Sequence, residues 1–176
     1  MIGAVDIGGT KIAVGLVDEA GAVLSRLELP TAPGRGPADG LERITAALRE
    51  TVRLAGGELQ GIGIGCTGPV DPRSGIIGAN AFLPGWQDLN LAAELQREFG
   101  VSAAMENDAD AAALGEYAWG AGCGSNRFIY VTVSTGIGGG LVFDGRLYRG
   151  MDGSHPEIGH HVIDPTGPQC FCGARG

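Results

Sequence analysis

Hydrophobic and polar positions alternate along the N-terminal residues in the pattern of extended strands. Apolar runs occupy Ile2–Ile7, Lys11–Val17 and 23–29, and the short segments 8–10 and 18–21 separate them. Runs of this length between turn residues predict three strands. The chain therefore opens with three consecutive strands joined by tight turns.

The period of the apolar positions becomes helical beyond a Pro/Gly-rich loop at 31–40. Apolar residues recur every three or four positions over 41–55, which predicts a helix that ends at the two glycines that follow. The other predicted elements are strands at 60–65, 101–105, 128–133 and 139–143, a hairpin at 71–75 in a long loop at 67–86, helices at 89–99 and 108–119, and a glycine loop at 134–140. This order predicts an α/β fold of two similar halves, the second beginning near Gly122.

Composition and net charge indicate which binding partners and which cellular location to expect. The 176 residues carry a net charge of −8, and 44% of them are apolar. The apolar content is enough for a core, and the negative charge disfavours nucleic acid and anionic membranes as partners. We expect neither a signal peptide nor a membrane span, and hence a cytoplasmic location where the cysteines are free or metal-bound.

The first candidate site is the turn between the first two strands. Gly8, Gly9 and Thr10 lie between Asp6 and Lys11. A glycine turn leaves backbone N–H groups that can point at an anion, and a nearby carboxylate can hold hydrated Mg²⁺ beside phosphates. The alternative is a plain hairpin turn.

A second glycine segment follows the strand predicted at 128–133, which we expect to be buried. Ser134, Thr135 and Gly136 open a run that continues to Gly140. Hydroxyls and glycines after a strand again suit phosphate. We therefore predict that the two glycine turns hold one triphosphate together.

The third candidate is the triplet Glu106, Asn107 and Asp108, where a predicted strand meets a predicted helix. Asp108 occupies the expected N-cap position, and capping is one interpretation. The other is a general base, because a carboxylate held ionised at a helix N-terminus can take the proton of a sugar hydroxyl. The residues alone leave both interpretations open.

The C-terminal segment has the side chains of a zinc site. His160 is followed by Cys170 and Cys172, and Glu157 precedes His160 by one helical turn, which indicates a substrate contact beside a metal. Zinc prefers four ligands in a closed structural site, and three are visible here. His155 and His161 compete for the histidine position, but we expect them to be surface or core residues.

Taken together and in this order, the motifs resemble those of ROK (repressor, open reading frame, kinase) sugar kinases, and glucokinases in particular. The resemblance spans nearly the whole chain. It implies the actin-like, ribonuclease-H-like ATPase fold, in which two α/β domains flank a deep cleft. It also implies a complete N-terminal lobe at 1–121 and the start of a second lobe at 122–176, since the family's chains continue beyond Gly176.

The resemblance also implies a role for each motif. Asp108 would be the base that activates the primary hydroxyl of a hexose for attack on the γ-phosphate of ATP. Sugar contacts would come from Gly68, Asn80, Asn107, Asp108, Glu157 and His160. Phosphates would be held by Asp6, Gly8, Gly9, Thr10, Lys11, Ser134, Thr135 and Gly136, with Asp6 near Mg²⁺. Structural zinc would be bound by His160, Cys170 and Cys172, with a further cysteine expected immediately after Gly176.

For the parent protein the resemblance implies glucose as the acceptor and a homo-oligomer, a dimer or a tetramer. A fructokinase or an N-acylhexosamine kinase of the same family is the alternative, as is a non-catalytic sugar-binding protein or a repressor. The donor is expected to be ATP, with polyphosphate as the alternative. Because the family's adenosine pocket lies beyond Gly176, we expect this chain to be truncated and to have little activity alone.

Overall fold

The computed structural model describes residues 1–134, 136–150, 156–170 and 172–176. The strands are β1 (Ile2–Ile7), β2 (Lys11–Val17), β3 (Val23–Pro30), β4 (Gly61–Cys66), β5 (Val70–Asp71), β6 (Ile76–Ile77), β7 (Ser102–Asn107), β8 (Arg127–Val133), β9 (Ile137–Phe143) and β10 (Arg146–Leu147). The helices are α1 (Pro37–Ala55), α2 (Leu91–Phe99) and α3 (Asp108–Trp119), and short 3-10 turns occupy Pro33–Arg35 and Ile158–His160.

A five-stranded mixed sheet organises the N-terminal part of the chain, with the strand order β3-β2-β1-β4-β7. The first three strands are antiparallel, while β4 and β7 run parallel to β1. Parallel neighbours need crossover connections, and α1 and α2 lie in the two crossovers. The three predicted N-terminal strands are confirmed.

The core lies between this sheet and the first two helices. Alternate residues of a strand point to one face, and Ile7 and Ile12, neighbours in register, are both fully buried there. Ile44 and Leu48, one turn apart on α1, are fully buried in the same cluster. The other face of the sheet carries Asp6, so the alternation of the strands separates the core from the polar residues.

Two helix starts differ from the prediction for local reasons. The helix α1 begins at Pro37 rather than at residue 41, because proline at the first helical position has a suitable φ and needs no N–H acceptor. The helix α2 begins at Leu91 rather than at residue 89, because the Asn90 side chain accepts the N–H of Ala93 and caps the helix. Both helices end at the predicted glycines, Gly56 and Gly100, in left-handed conformations.

The C-terminal part contains the three-stranded antiparallel sheet β10-β9-β8. The glycine loop predicted at 134–140 is shorter than expected, because β9 begins at Ile137 and its glycines pair with β8. Gly139 in particular has no room for a side chain, since Ile158 and the Tyr130 carbonyl fill that space. The strand β8 is also less buried than expected, because Val131 and Val133 on one face are 49% and 76% exposed.

The described residues form two compact units, Met1–Ala111 and Ala112–Gly176. The division falls inside α3, whereas the sequence indicated a boundary after residue 121. Whether each unit is an independent lobe stays a prediction. No helix in the described ranges has both the length and the apolar content needed to cross a bilayer.

Replacing Gly40 with alanine tests the packing between α1 and the loop that follows β6. A methyl group at Gly40 would overlap the fully buried ring of Trp86. We expect Gly40→Ala to lower the free energy of unfolding by about 1–3 kcal/mol, measured by urea denaturation followed by circular dichroism.

The matched control is Gly115→Ala, another glycine inside a helix, where nothing lies within 4 Å of the added methyl group. That change should raise the free energy of unfolding by about 0.5–1 kcal/mol through helix propensity alone. Equal effects of the two changes would contradict the packing described for Trp86.

Candidate functional site

Three parallel strands end at the same level of the sheet. Ile7 is in register with Cys66, and Cys66 with Asn107, so the carboxyl ends of β1, β4 and β7 lie side by side. An ideal Cβ on Gly65 of the central strand would lie 3.9 Å from Oδ1 of Asp6 and 3.6 Å from Cα of Asp108. The absence of a side chain at Gly65 therefore allows two carboxylate residues to approach each other at this edge.

The charges at this edge shift the pKa values of Asp6 and Cys66. Desolvation by burial, and secondly the negative charge of Asp108, raise the pKa of Asp6, whereas Lys11 and Arg26 lower it. Burial, followed by the charges of Asp108 and Asp6, raises the pKa of the Cys66 thiol to about 12. The thiol is thus a neutral packing group, and the two carboxylates form a locus that favours a cation.

The turn between β1 and β2 is held in place by a residue that the sequence did not suggest. The buried Thr31 hydroxyl donates to the Gly8 carbonyl at 2.6 Å, and the Thr31 backbone N–H donates to the Thr10 carbonyl at 3.0 Å. Within the described ranges no hydrogen bond is made by the backbone N–H of Gly9 or of Thr10. The carbonyls of Gly8 and Thr10 therefore point toward buried Thr31, and the N–H groups of Gly9 and Thr10 are available to an anion.

An aromatic residue that sequence reasoning also missed lies against Gly9 of this turn. A Cβ added to Gly9 would lie 3.0 Å from Cβ of Phe82, whose side chain is 47% exposed. Lys11, the predicted phosphate contact, places its Nζ 2.9 Å from Oε1 of Glu28. Nothing in the spacing of the sequence connects Phe82 or Thr31 with the glycine turn, since each lies in a separate loop.

Asn107, and not Asp108, occupies the N-cap of α3. Its Oδ1 accepts the N–H groups of Ala109 at 2.9 Å and of Asp110 at 3.3 Å. Asp108 is the first helical residue, and its Oδ1 also accepts the Ala109 N–H at 2.9 Å. The expectation that Asp108 is the cap is wrong, because Asp108 already belongs to the helix and the preceding Asn107 supplies the capping oxygen. The half-buried Asp108 carboxylate therefore has a second oxygen for which no partner is described.

Three of the predicted sugar contacts lie together beside this edge. Asn107 Nδ2 donates to the Gly68 carbonyl at 3.2 Å, and the Asn80 side chain occupies the space that a Cβ on Gly68 would need. Asn80 Oδ1 accepts the N–H groups of Phe82 and Leu83, each at 2.9 Å. Gly68 also has a φ of +84°, which favours glycine. The cluster is thus prearranged by hydrogen bonds of its own.

The second glycine turn is partly described. The Ser134 N–H donates to the Gly136 carbonyl at 2.8 Å, which closes a tight turn between β8 and β9. Thr135 lies outside the described residues. The contribution of this turn to phosphate binding stays a prediction.

The C-terminal segment brings the predicted metal ligands together. One ligand atom each from His160, Cys170 and Cys172 lies within 4.8 Å of the others. His160 Nδ1 is 3.5 Å from Cys170 Sγ, and tetrahedral zinc with ordinary bond lengths would separate such atoms by about 3.6 Å. The spacing therefore fits a zinc ion. Of the competing histidines, His161 is exposed and His155 lies outside the described residues.

Glu157 stands next to this group. A 3-10 turn links it to His160, whose N–H donates to the Glu157 carbonyl at 3.0 Å. Oε2 of Glu157 lies 3.9 Å from His160 Nε2, and the Glu157 side chain is 64% exposed. One imidazole thus presents one nitrogen to a thiol and the other to a carboxylate.

Sequence and structure comparisons both find similarity to proteins of one family. Residues 2–176 match the sequence profile of the ROK family. The Thermotoga maritima glucokinase is 41% identical over 172 residues, which are 98% of this chain and 54% of that protein. The ROK hexokinase of Thermus thermophilus superposes with a TM-score of 0.87 at 41% identity, covering 99% of this chain and 57% of that one.

A third relative has been solved with ligands. The ROK family glucokinase of Streptomyces griseus, in complex with glucose and AMPPNP, is 38% identical with a TM-score of 0.84, covering 98% of this chain and 54% of that one. The chain spans about half the length of the curated relatives it matches. Its mixed α/β architecture is that of the actin-like ATPase fold, as the sequence predicted.

The raised pKa of Asp6 provides a test of the site's electrostatics. In the variant Asp108→Asn, the Asp6 pKa should fall toward its ordinary value, because one of the two causes that raise it is removed. The side-chain carboxyl carbon of Asp6, followed by NMR during a pH titration, reports this directly.

The sign of the linked stability follows from the same shift. The pKa of Asp6 is higher in the folded protein than in the unfolded chain. The free energy of unfolding should therefore fall as pH rises from the unfolded pKa through the folded pKa, where Asp6 ionises. Asp108→Asn should weaken this dependence on pH. The exposed turn variant Asp144→Asn is the control. An Asp6 pKa that is the same in both variants would contradict the proximity of the two carboxylates.

Proposed function

The chain belongs to the ROK family, and from this membership we propose that the full-length protein transfers the γ-phosphate of ATP to a hexose, with glucose as acceptor at its 6-hydroxyl. The observation that carries the proposal is the meeting of Asp6 and Asp108 at one strand edge. Phosphoryl transfer depends mainly on positioning and on neutralising charge, and this edge offers groups for both.

The base in this proposal is Asp108. Asp108 is the first residue of α3, one of its carboxylate oxygens accepts the Ala109 N–H, and the other can accept the proton of the sugar hydroxyl. Asn107 anchors the start of α3 through its cap and reaches Gly68. The Ala109 N–H donates to Oδ1 of Asp108, which restrains the Asp108 carboxylate. The neighbouring residues Asn80 and Gly68 would then orient the sugar ring.

The phosphates, in this proposal, lie against the glycine turn. The N–H groups of Gly9 and Thr10 donate to phosphate oxygens, and Lys11 adds a positive charge once it exchanges Glu28 for the anion. A Mg²⁺ ion bound with ATP neutralises phosphate charge, and Asp6 is the side chain that would hold it through water. The assignment of Ser134, Thr135 and Gly136 to the same phosphates rests on the family resemblance.

A zinc ion suits the C-terminal ligands. His160, Cys170 and Cys172 supply one nitrogen and two sulfurs at fitting separation, and bound zinc would give this segment a rigid shape. The 3-10 turn would then hold Glu157 and the second nitrogen of His160 in fixed directions. Both are proposed to bind ring hydroxyls.

The acceptor is tested by a coupled assay of ADP formation on the full-length protein. Glucose, fructose and N-acetylmannosamine are compared as acceptors, and ATP is compared with polyphosphate as donor. We expect the highest kcat/KM with glucose and ATP. No turnover with any pair would overturn the proposal and leave a sugar-binding or regulatory protein.

Removing the base gives the sharpest single-residue test. Asp108→Asn should lower kcat by a factor of about 10²–10⁴, because the hydroxyl loses its proton acceptor, while glucose binding measured by calorimetry largely survives. Asp144→Asn, an equivalent change in the exposed turn between β9 and β10, should leave kcat unchanged. Turnover near the wild-type value in Asp108→Asn would remove this residue from the role.

The metal site is tested by His160→Ala. We expect this variant to lose zinc in plasma mass spectrometry and to bind glucose more weakly, since one imidazole would serve both the metal and the sugar. His161→Ala changes the exposed neighbour and should retain zinc. Equal zinc content in the two variants would refute the assignment of His160 as a ligand.

A further inference from the structure

The buried hydroxyl of Thr31 has no role in the chemistry described so far. Thr31 follows β3 and is fully buried. Its hydroxyl and its backbone N–H donate to the carbonyls of Gly8 and Thr10, at 2.6 Å and 3.0 Å. These two carbonyls belong to the turn that is proposed to bind phosphate.

We propose that Thr31 is a positioning residue for nucleotide phosphates and acts through the backbone of the β1–β2 turn. This inference rests on the proposed function. A carbonyl that faced a phosphate oxygen would repel it, whereas an N–H that faces it donates a charge-assisted hydrogen bond. By holding the Gly8 carbonyl on its own side, Thr31 directs the N–H group of Gly9, which belongs to the same planar peptide unit, the opposite way. Its bond to the Thr10 carbonyl fixes the next part of the turn, so the backbone on both sides of the Thr10 N–H is restrained.

Thr31 is itself anchored from α1. Its carbonyl accepts a hydrogen bond from Nη2 of Arg43 at 2.7 Å, and Nη1 of the same guanidinium donates to the Pro30 carbonyl. Nε of Arg43 donates to Oδ2 of Asp39 at 2.7 Å, one turn earlier on the helix. Arg43 thus holds the backbone of Thr31 in place, and Thr31 in turn holds the β1–β2 turn. Through these bonds α1 helps to position the proposed phosphate site.

A second contact limits the ways in which the turn can relax. Phe82 lies against Gly9, so the turn touches this side chain as well as the Thr31 hydroxyl. Removing the hydroxyl leaves the partly buried Gly8 carbonyl without its donor, which favours reorientation of the peptide group. The reorientation would misdirect the N–H of Gly9, which that peptide carries.

The test compares Thr31→Val, which removes the hydroxyl, with Thr31→Ser, which keeps it. In the full-length protein Thr31→Val should raise the KM for ATP about tenfold, the effect of roughly one buried hydrogen bond, while the KM for glucose changes less than about twofold. Thr31→Ser should restore the KM for ATP to within about threefold. Hydrogen exchange at the Gly8 amide, which is bonded to the Lys11 carbonyl, should be faster in Thr31→Val.

Thr51→Val is the matched control, because Thr51 is also fully buried and its hydroxyl also donates to a carbonyl, that of Leu48, within α1. It should leave both KM values and Gly8 exchange unchanged. The inference is overturned if Thr31→Val leaves the KM for ATP unchanged, or if it changes the KM for ATP and the KM for glucose equally. It is also overturned if Thr31→Ser raises the KM for ATP as much as Thr31→Val does.

Two further measurements separate this inference from the proposed function. If the wild-type protein phosphorylates no sugar, the proposed function fails, and binding of inorganic triphosphate by calorimetry decides the role of Thr31. Weaker binding in Thr31→Val than in wild type supports the inference, and equal or absent binding overturns it. If Thr31→Val does not fold, Arg43→Gln should raise the KM for ATP selectively, and a normal value would count against the inference.

Discussion

The alignment of three parallel strand ends is the constraint on which the rest of the site depends. Because β1, β4 and β7 finish in register, residues far apart in the chain meet at one edge. Gly65 in the central strand leaves the space in which Asp108 comes close enough to raise the pKa of Asp6. Two nearby carboxylates repel each other, and a cation bound between them would relieve that repulsion.

The backbone around this edge is prepared for that ligand by hydrogen bonds to carbonyl groups. Thr31 holds the carbonyls of Gly8 and Thr10, and Asn107 holds that of Gly68. Each of these bonds fixes a carbonyl group next to the place where a phosphate or a sugar is proposed to bind. Thr31 prepares the site without touching a substrate, whereas Asn107 is also a predicted sugar contact.

Local patterns predicted the elements, and long-range contacts explain what they missed. Alternation and glycine turns were sufficient for β1, β2 and α3, because each is determined by its own residues. They could not identify Thr31 or Phe82 as partners of the glycine turn, since those contacts are created by the packing of separate loops. The predicted cap at Asp108 failed by one residue, because asparagine and aspartate are both good caps and only the backbone distinguishes them.

Asp108 and the glycine turn are proposed to serve one reaction. The most direct measurement is a crystal structure of the full-length protein with glucose and a non-hydrolysable ATP analogue. We predict an Asp108 carboxylate oxygen about 3 Å from the 6-hydroxyl of glucose, with the N–H groups of Gly9 and Thr10 on phosphate oxygens. A sugar whose hydroxyl groups are all remote from Asp108, or phosphates bound away from this turn, would contradict the account.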